Sequence, residues 1–125
     1  PEIDKVHQKL QKRRETRKKY EEAIDIIDYL SFINQNENGV EYSNYFFTIL
    51  TTERGELAHY LMKNDIYTTF RYFPIHKINL FKQNSLICSN AEKFSNMALN
   101  IPIHENLKKN EIDHIIMSIQ NFKEK

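Results

Sequence analysis

Tryptophan is absent from this 125-residue chain, cysteine occurs once, and only two glycines and three prolines punctuate it. The single thiol, Cys88, excludes an intramolecular disulfide and suits a reducing compartment. With Gly39 and Gly55 alone, no glycine-rich phosphate loop can be built. No apolar run approaches the roughly 20 residues that span a bilayer, and no signal peptide is visible. Charge of one sign is scarce as well. Eighteen Lys and Arg against 17 Asp and Glu leave a net +1, which argues against a surface that seeks nucleic acid or membrane as a whole. His7, His59, His104 and His114 lack metal-ligand spacing, so no metal site is expected. Cys88 reads as a small buried residue rather than a nucleophile.

What is present describes a soluble globular domain, with 40% hydrophobic and 28% charged residues and length enough for a real core. Residues 3 to about 31 read as one long helix of good formers. Its apolar positions Ile3, Val6 and Leu10 keep helical spacing, stop, and resume at Tyr20, Ile24 and Ile27. Between them runs a basic stretch containing Lys12, Arg13, Arg14, Arg17, Lys18 and Lys19, which reads as a solvated face. A helix whose stripe vanishes midway bridges between bodies or lies exposed. The start at Pro1 suggests a segment of a longer protein, although removal of an initiator Met also leaves Pro first.

A polar turn at 34–39 precedes an aromatic and aliphatic strand at 45–50, expected to be central and buried on both sides. Thr52 is placed to cap the next helix, whose buried face is Leu57, Ala58, Leu61 and Met62, with Asn64 as a left-handed stop. Residues 66–73 read as a second strand, and 75–86 as loop with one short turn. Ser89 and Glu92 form a capping box ahead of the stripe Ala91, Phe94, Met97 and Ala98. Residues 99–103 add a third extended segment around Pro102. Ile112, Ile115, Ile116, Ile119 and Phe122 mark an amphipathic last helix. The fold class is α/β or α+β, a small, mostly antiparallel sheet packed by helices. His59, beside its helix's apolar stripe, is expected to be partly buried and satisfied.

The segment Ile66 to His76, I-Y-T-T-F-R-Y-F-P-I-H, concentrates the candidate chemistry. Pro74 has no N–H for a ladder, so the strand must end or reach an edge there. Arg71 offers a planar fork for phosphate or carboxylate, Tyr72 a hydroxyl, and His76 an imidazole that donates or accepts near neutrality. Regular alternation would put Arg71 and Tyr72 on opposite faces. The competing reading is a solvated Arg71 and a core Tyr72.

Taken in order, N-Y-F-F-T-I-L (44–50), the run 56–76, A-E-K-F-S-N-M-A-L-N-I-P-I-H-E-N-L (91–107) and N-E-I-D-H-I-I-M-S-I-Q-N-F (110–122) resemble the C-terminal small domain of the DegT/DnrJ/EryC1/StrS family of PLP-dependent sugar aminotransferases. K-R-R-E at 12–15 resembles the helix that joins that family's large and small domains. F-R-Y-F-P-I-H resembles the family's F-H-Y-x-P-L-H, with Arg71 at the commoner His position, and Phe46 stands where a His is usual. The resemblance implies the small domain of an aspartate-aminotransferase-like fold, with residues 1–31 a linker helix and 32–125 the domain. It implies a cytoplasmic homodimer that moves an amino group, commonly from glutamate, to a keto group of a nucleotide-linked sugar with pyridoxal 5'-phosphate. Arg71, Tyr72 and His76 would line the substrate pocket. The Schiff-base lysine and phosphate cradle would lie upstream, so no catalytic residue is expected in this segment. Alternatives are a stand-alone α/β interaction module, a sugar dehydratase of the same family, and a basic-helix nucleic-acid binder.

Overall fold

The computed structural model describes residues 2–35, 38–81 and 87–123. A short 3-10 turn, Glu2–Lys5, leads into helix α1, Val6–Ile24. Strands β1 (Ser31–Phe32) and β2 (Phe47–Leu50), helix α2 (Arg54–Lys63), helix α3 (Ser89–Met97), strand β3 (Ala98–Ile101) and helix α4 (Lys109–Asn121) follow. The three strands form one antiparallel sheet in the order β1-β2-β3, with Phe32 opposite Ile49 and Phe47 opposite Ile101. This is the expected class, helices packed on a small antiparallel sheet.

β2 is the middle strand because its aromatic and aliphatic residues suit burial on both sides. Phe47 and Ile49 are wholly buried, and Thr48 and Leu50 half so. The Phe47 ring lies 5.4 Å from Tyr20 of α1 and 5.9 Å from Phe32 of β1. Tyr20 closes this packing with its hydroxyl, which donates to the Pro102 carbonyl at 2.8 Å. The isoleucine period predicted for α4 puts Ile112, Ile115 and Ile119 into the same core. A second aromatic group joins Tyr29, Tyr60 and Phe122, and the Tyr29 hydroxyl donates to the Ile119 carbonyl at 2.5 Å. Burial pushes the Tyr29 phenol up to about 12.

α1 ends at Ile24, several residues before the expected limit near 31. β-branched Ile26 and Ile27 between Asp25 and Asp28 are weaker helix formers. Tight turns (Ile27 N to the Ile24 carbonyl, Leu30 N to the Ile27 carbonyl) bring Leu30 into the core and leave 31–32 free to pair. As the broken stripe implied, Ile3 and Val6 are exposed and Leu10 half-buried.

Other local expectations moved. Thr51, not Thr52, supplies the hydroxyl ahead of α2, accepting from the Glu53 N–H at 3.2 Å. The left-handed residue after α2 is Asp65, at φ 60°, rather than Asn64, whose side chain donates to the Tyr60 carbonyl instead. His59 is exposed, since it lies just off the Leu57–Leu61 stripe. Met62 is exposed as well. Cys88 is half-buried. The stripe on α3 is not covered by the described residues: Ala91 and Phe94 are exposed, Met97 half-buried, and of its four residues Ala98, already in β3, is the one buried. Periodicity shows that a helix has an apolar face, not that its own domain covers it. Part of the predicted 75–86 loop, residues 82–86, falls outside the described residues; its short turn is Ile75–Lys77.

Candidate functional site

Residues 66–73 do not form the second strand that their aromatic and β-branched character predicts. A single antiparallel bridge ties Thr69 to Asn100 of β3, with N–O distances of 3.1 and 2.9 Å. β-propensity reflects packing on a half-buried surface, and here Tyr67, Phe70, Tyr72 and Phe73 all face solvent. Asn100 is the post for this bridge. It is buried, accepts from the Thr48 hydroxyl at 2.6 Å, and holds the segment against the sheet edge.

Past the bridge, each side chain of the candidate set has a distinct place. Arg71 is exposed, its guanidinium carbon 5.7 Å from the centroid of Phe46. Tyr72 is 74% exposed, so it is not the core residue of the competing reading. Phe70 lies under the Arg54 guanidinium at 4.5 Å, and Arg54 donates in turn to the Ser95 carbonyl of α3. Pro74 is buried and starts the 3-10 turn Ile75–Lys77, which swings His76 inward to 7% exposure. Arg71 and Tyr72 are thus both exposed, whereas His76 is buried in the turn that follows them.

His76 Nε2 lies 2.8 Å from one oxygen of Glu92 and Lys77 Nζ 3.0 Å from the other. This engagement explains why the Ser89–Glu92 capping box does not form: no side chain caps α3, and the Glu92 carboxylate turns to the 74–77 turn. The His76 hydrogen bond first, and then Lys77, hold the Glu92 carboxyl below the usual carboxylate range. A carboxyl depressed on folding contributes stability above its unfolded value and loses it as pH falls through the folded one. We therefore expect the 74–77 turn to loosen only below the ordinary carboxylate range. Amide exchange at Ile75–Ile78 followed from pH 6 to pH 3 checks this, and Glu92→Gln should remove the acid step. Loosening that begins near neutral pH in the unaltered chain would contradict it.

Three contributors to this face escape a sequence reading. Phe46 supports Arg71, Glu92 holds His76, and Arg13 of α1 reaches the same side. Arg13 donates to Glu105 from Nε at 3.2 Å and Nη2 at 3.0 Å, and lies 5.7 Å from the Tyr45 centroid. Its partner stands 92 positions away, so no local pattern separates it from the solvated basic run. Among the described residues, no group of three or more His, Cys, Asp or Glu is placed to hold a metal ion, and no helix is long and apolar enough to cross a membrane.

Known structures share this arrangement of elements. The fold matches the aminotransferase TlmJ from Streptoalloteichus hindustanus at a TM-score of 0.92 and 22% identity, covering 98% of this chain and 34% of that one. It matches Helicobacter pylori PseC, an aminotransferase involved in the biosynthesis of pseudoaminic acid, at 0.86 and 23%, with the same coverage. In sequence, the chain is 26% identical over 112 residues to the dTDP-4-dehydro-2,3,6-trideoxy-D-glucose 4-aminotransferase of Saccharopolyspora spinosa, covering 88% of this chain and 29% of that protein. It therefore spans about a third of the length of these relatives. The model of the DegT/DnrJ/EryC1/StrS aminotransferase family matches residues 2–120, and the chain belongs to that family.

Proposed function

We propose that residues 32–125 are the small C-terminal domain, and residues 1–31, which carry helix α1, the linker, of a sugar aminotransferase that works as a cytoplasmic homodimer. The reaction moves an amino group from an amino acid, glutamate being the common donor in the family, to a keto group of a nucleotide-linked sugar. Family membership supports a pyridoxal phosphate enzyme, and the name of the S. spinosa relative supports a nucleotide-linked keto sugar. The family resemblance assigns no Schiff-base lysine to this segment. The face carrying Arg71 and Tyr72 presents arginines, while Lys77, Lys9 and Lys123 are each engaged with carboxylates. No step through the cofactor is assigned to this chain.

The contribution of this chain is a substrate wall built from Arg71, Tyr72 and His76. The observation that carries the reading is the strip 70–73: large side chains turned to solvent, yet fixed at one end by the Thr69–Asn100 bridge and at the other by His76 on Glu92. Adjacent exposed aromatic side chains held in a fixed segment suit an interaction surface. Arg71 and Tyr72 suit direct contact with phosphate and sugar oxygens, and His76 sets the turn that presents them. Holding the substrate in register with the reacting centre is how such a wall assists catalysis.

The test is a titration of this chain with pyridoxal phosphate. We expect no stoichiometric, borohydride-trapped pyridoxyl group on any one lysine, only scattered substoichiometric labelling. One fully labelled lysine would overturn the assignment of wall without cofactor machinery.

A further inference from the structure

Arg13 and Arg71 line one shallow cleft of about 290 Å³, although one comes from α1 and the other from the segment beside β3. Asn100, Thr69 and His104 share its lining. Each guanidinium lies over an aromatic ring, Arg13 over Tyr45 and Arg71 over Phe46, both at 5.7 Å. Those two rings meet edge to face with centroids 4.6 Å apart, so the two cations rest on adjoining aromatic rings. Arg13 is held further by Glu105, which leaves part of its donor fork uncommitted. Lys9 also approaches Glu105, at 3.8 Å, so that carboxylate is shared between two cations rather than cancelling Arg13 alone.

We propose that Arg13 and Arg71 form a clamp for a diphosphate group, which makes Arg13 a further substrate-binding residue. The inference rests on the substrate-wall reading for its ligand, a nucleotide-linked sugar, and adds the element that reads the anion. A diphosphate offers oxygens to two separate planar forks, and stacking on aromatic faces restricts both forks before the ligand arrives, so little ordering is left to bind it. A monoanionic carboxylate uses one fork only. The usual fate of basic residues on a helix, solvation, fits Lys12 and Arg14, which lie outside this cleft.

Inorganic pyrophosphate titrated into the isotope-labelled 125-residue chain at low salt tests the clamp, with backbone and arginine Nε–H signals as readout. We expect saturable shifts centred on Thr69, Arg71, Asn100 and His104. Affinity should fall about tenfold in Arg13→Gln and again in Arg71→Gln, and stay unchanged in Lys12→Gln; one charge-assisted hydrogen bond lost corresponds to that factor. Arg13→Lys keeps the charge beside Glu105 and guards against a folding artefact; it should still bind several-fold more weakly. Glutamate and pyridoxal phosphate should bind clearly more weakly than pyrophosphate. Unchanged affinity in both Arg13 variants, with loss in Arg71→Gln, would overturn the clamp and leave the Arg71 wall standing. No saturable response, or glutamate binding as tightly as pyrophosphate, would overturn the diphosphate assignment.

Discussion

Tyr20→Ala should unfold this domain or cost it about 3–5 kcal/mol, the range for deleting a large buried aromatic side chain. Tyr20 has no exposed surface, packs on Phe47 at 5.4 Å, and joins α1 to the loop after β3 through its hydroxyl on Pro102. Tyr20→Phe isolates the hydroxyl. It should cost only about 1–2 kcal/mol, the value of one hydrogen bond to a half-buried carbonyl. Urea melts of both variants beside the parent chain check the pair. Equal, small losses would mean that α1 is not integral to the core and merely lies along it.

The second large effect is on catalysis. On the proposed substrate-wall reading, Arg71→Ala in the intact enzyme should raise the KM for a nucleotide-linked keto sugar by about 10- to 100-fold. Hydrogen bonds from a cation to phosphate contribute about 1.5–3 kcal/mol, and each 1.4 kcal/mol is tenfold in binding. Arg71→Lys should recover only part of this. Lysine restores the charge but neither the planar fork nor the same stacking on Phe46. Phe46→Ala should weaken sugar binding in the same direction and by less, because it frees the guanidinium without removing it. Steady-state kinetics with the sugar varied at saturating amino donor measure all three.

How much of this was legible in the sequence depends on how local each cause is. The α4 period, Ile112 to Ile119, survives intact because one face meets one core. β2 was legible for the same reason, its continuous apolar run admitting only a central place. The segment 66–73 defeats a reading from sequence because aromatic residues suit strands and exposed faces alike, and only the partner edge decides between them. Ser89 and Glu92 have capping-box spacing, yet Glu92 serves His76, 16 positions away. The α3 stripe was legible as apolar, but its cover is not among the described residues of this chain. For the site, Arg71, Tyr72 and His76 could be picked out by motif. Arg13 could not, because its link to that face runs through Glu105 and the ring of Tyr45.

The claim that this domain supplies substrate wall and not cofactor chemistry is tested most directly by following the two half-reactions separately in the intact Arg71→Ala enzyme. Spectroscopy of the cofactor reports the half-reaction with the amino donor, and single turnover with the keto sugar reports the other. The account predicts a donor half-reaction within about twofold of the unaltered enzyme and a sugar half-reaction slowed in line with the tenfold or greater loss of sugar binding. Equal losses in both halves would place Arg71 at the cofactor or in the fold, and would contradict the assignment.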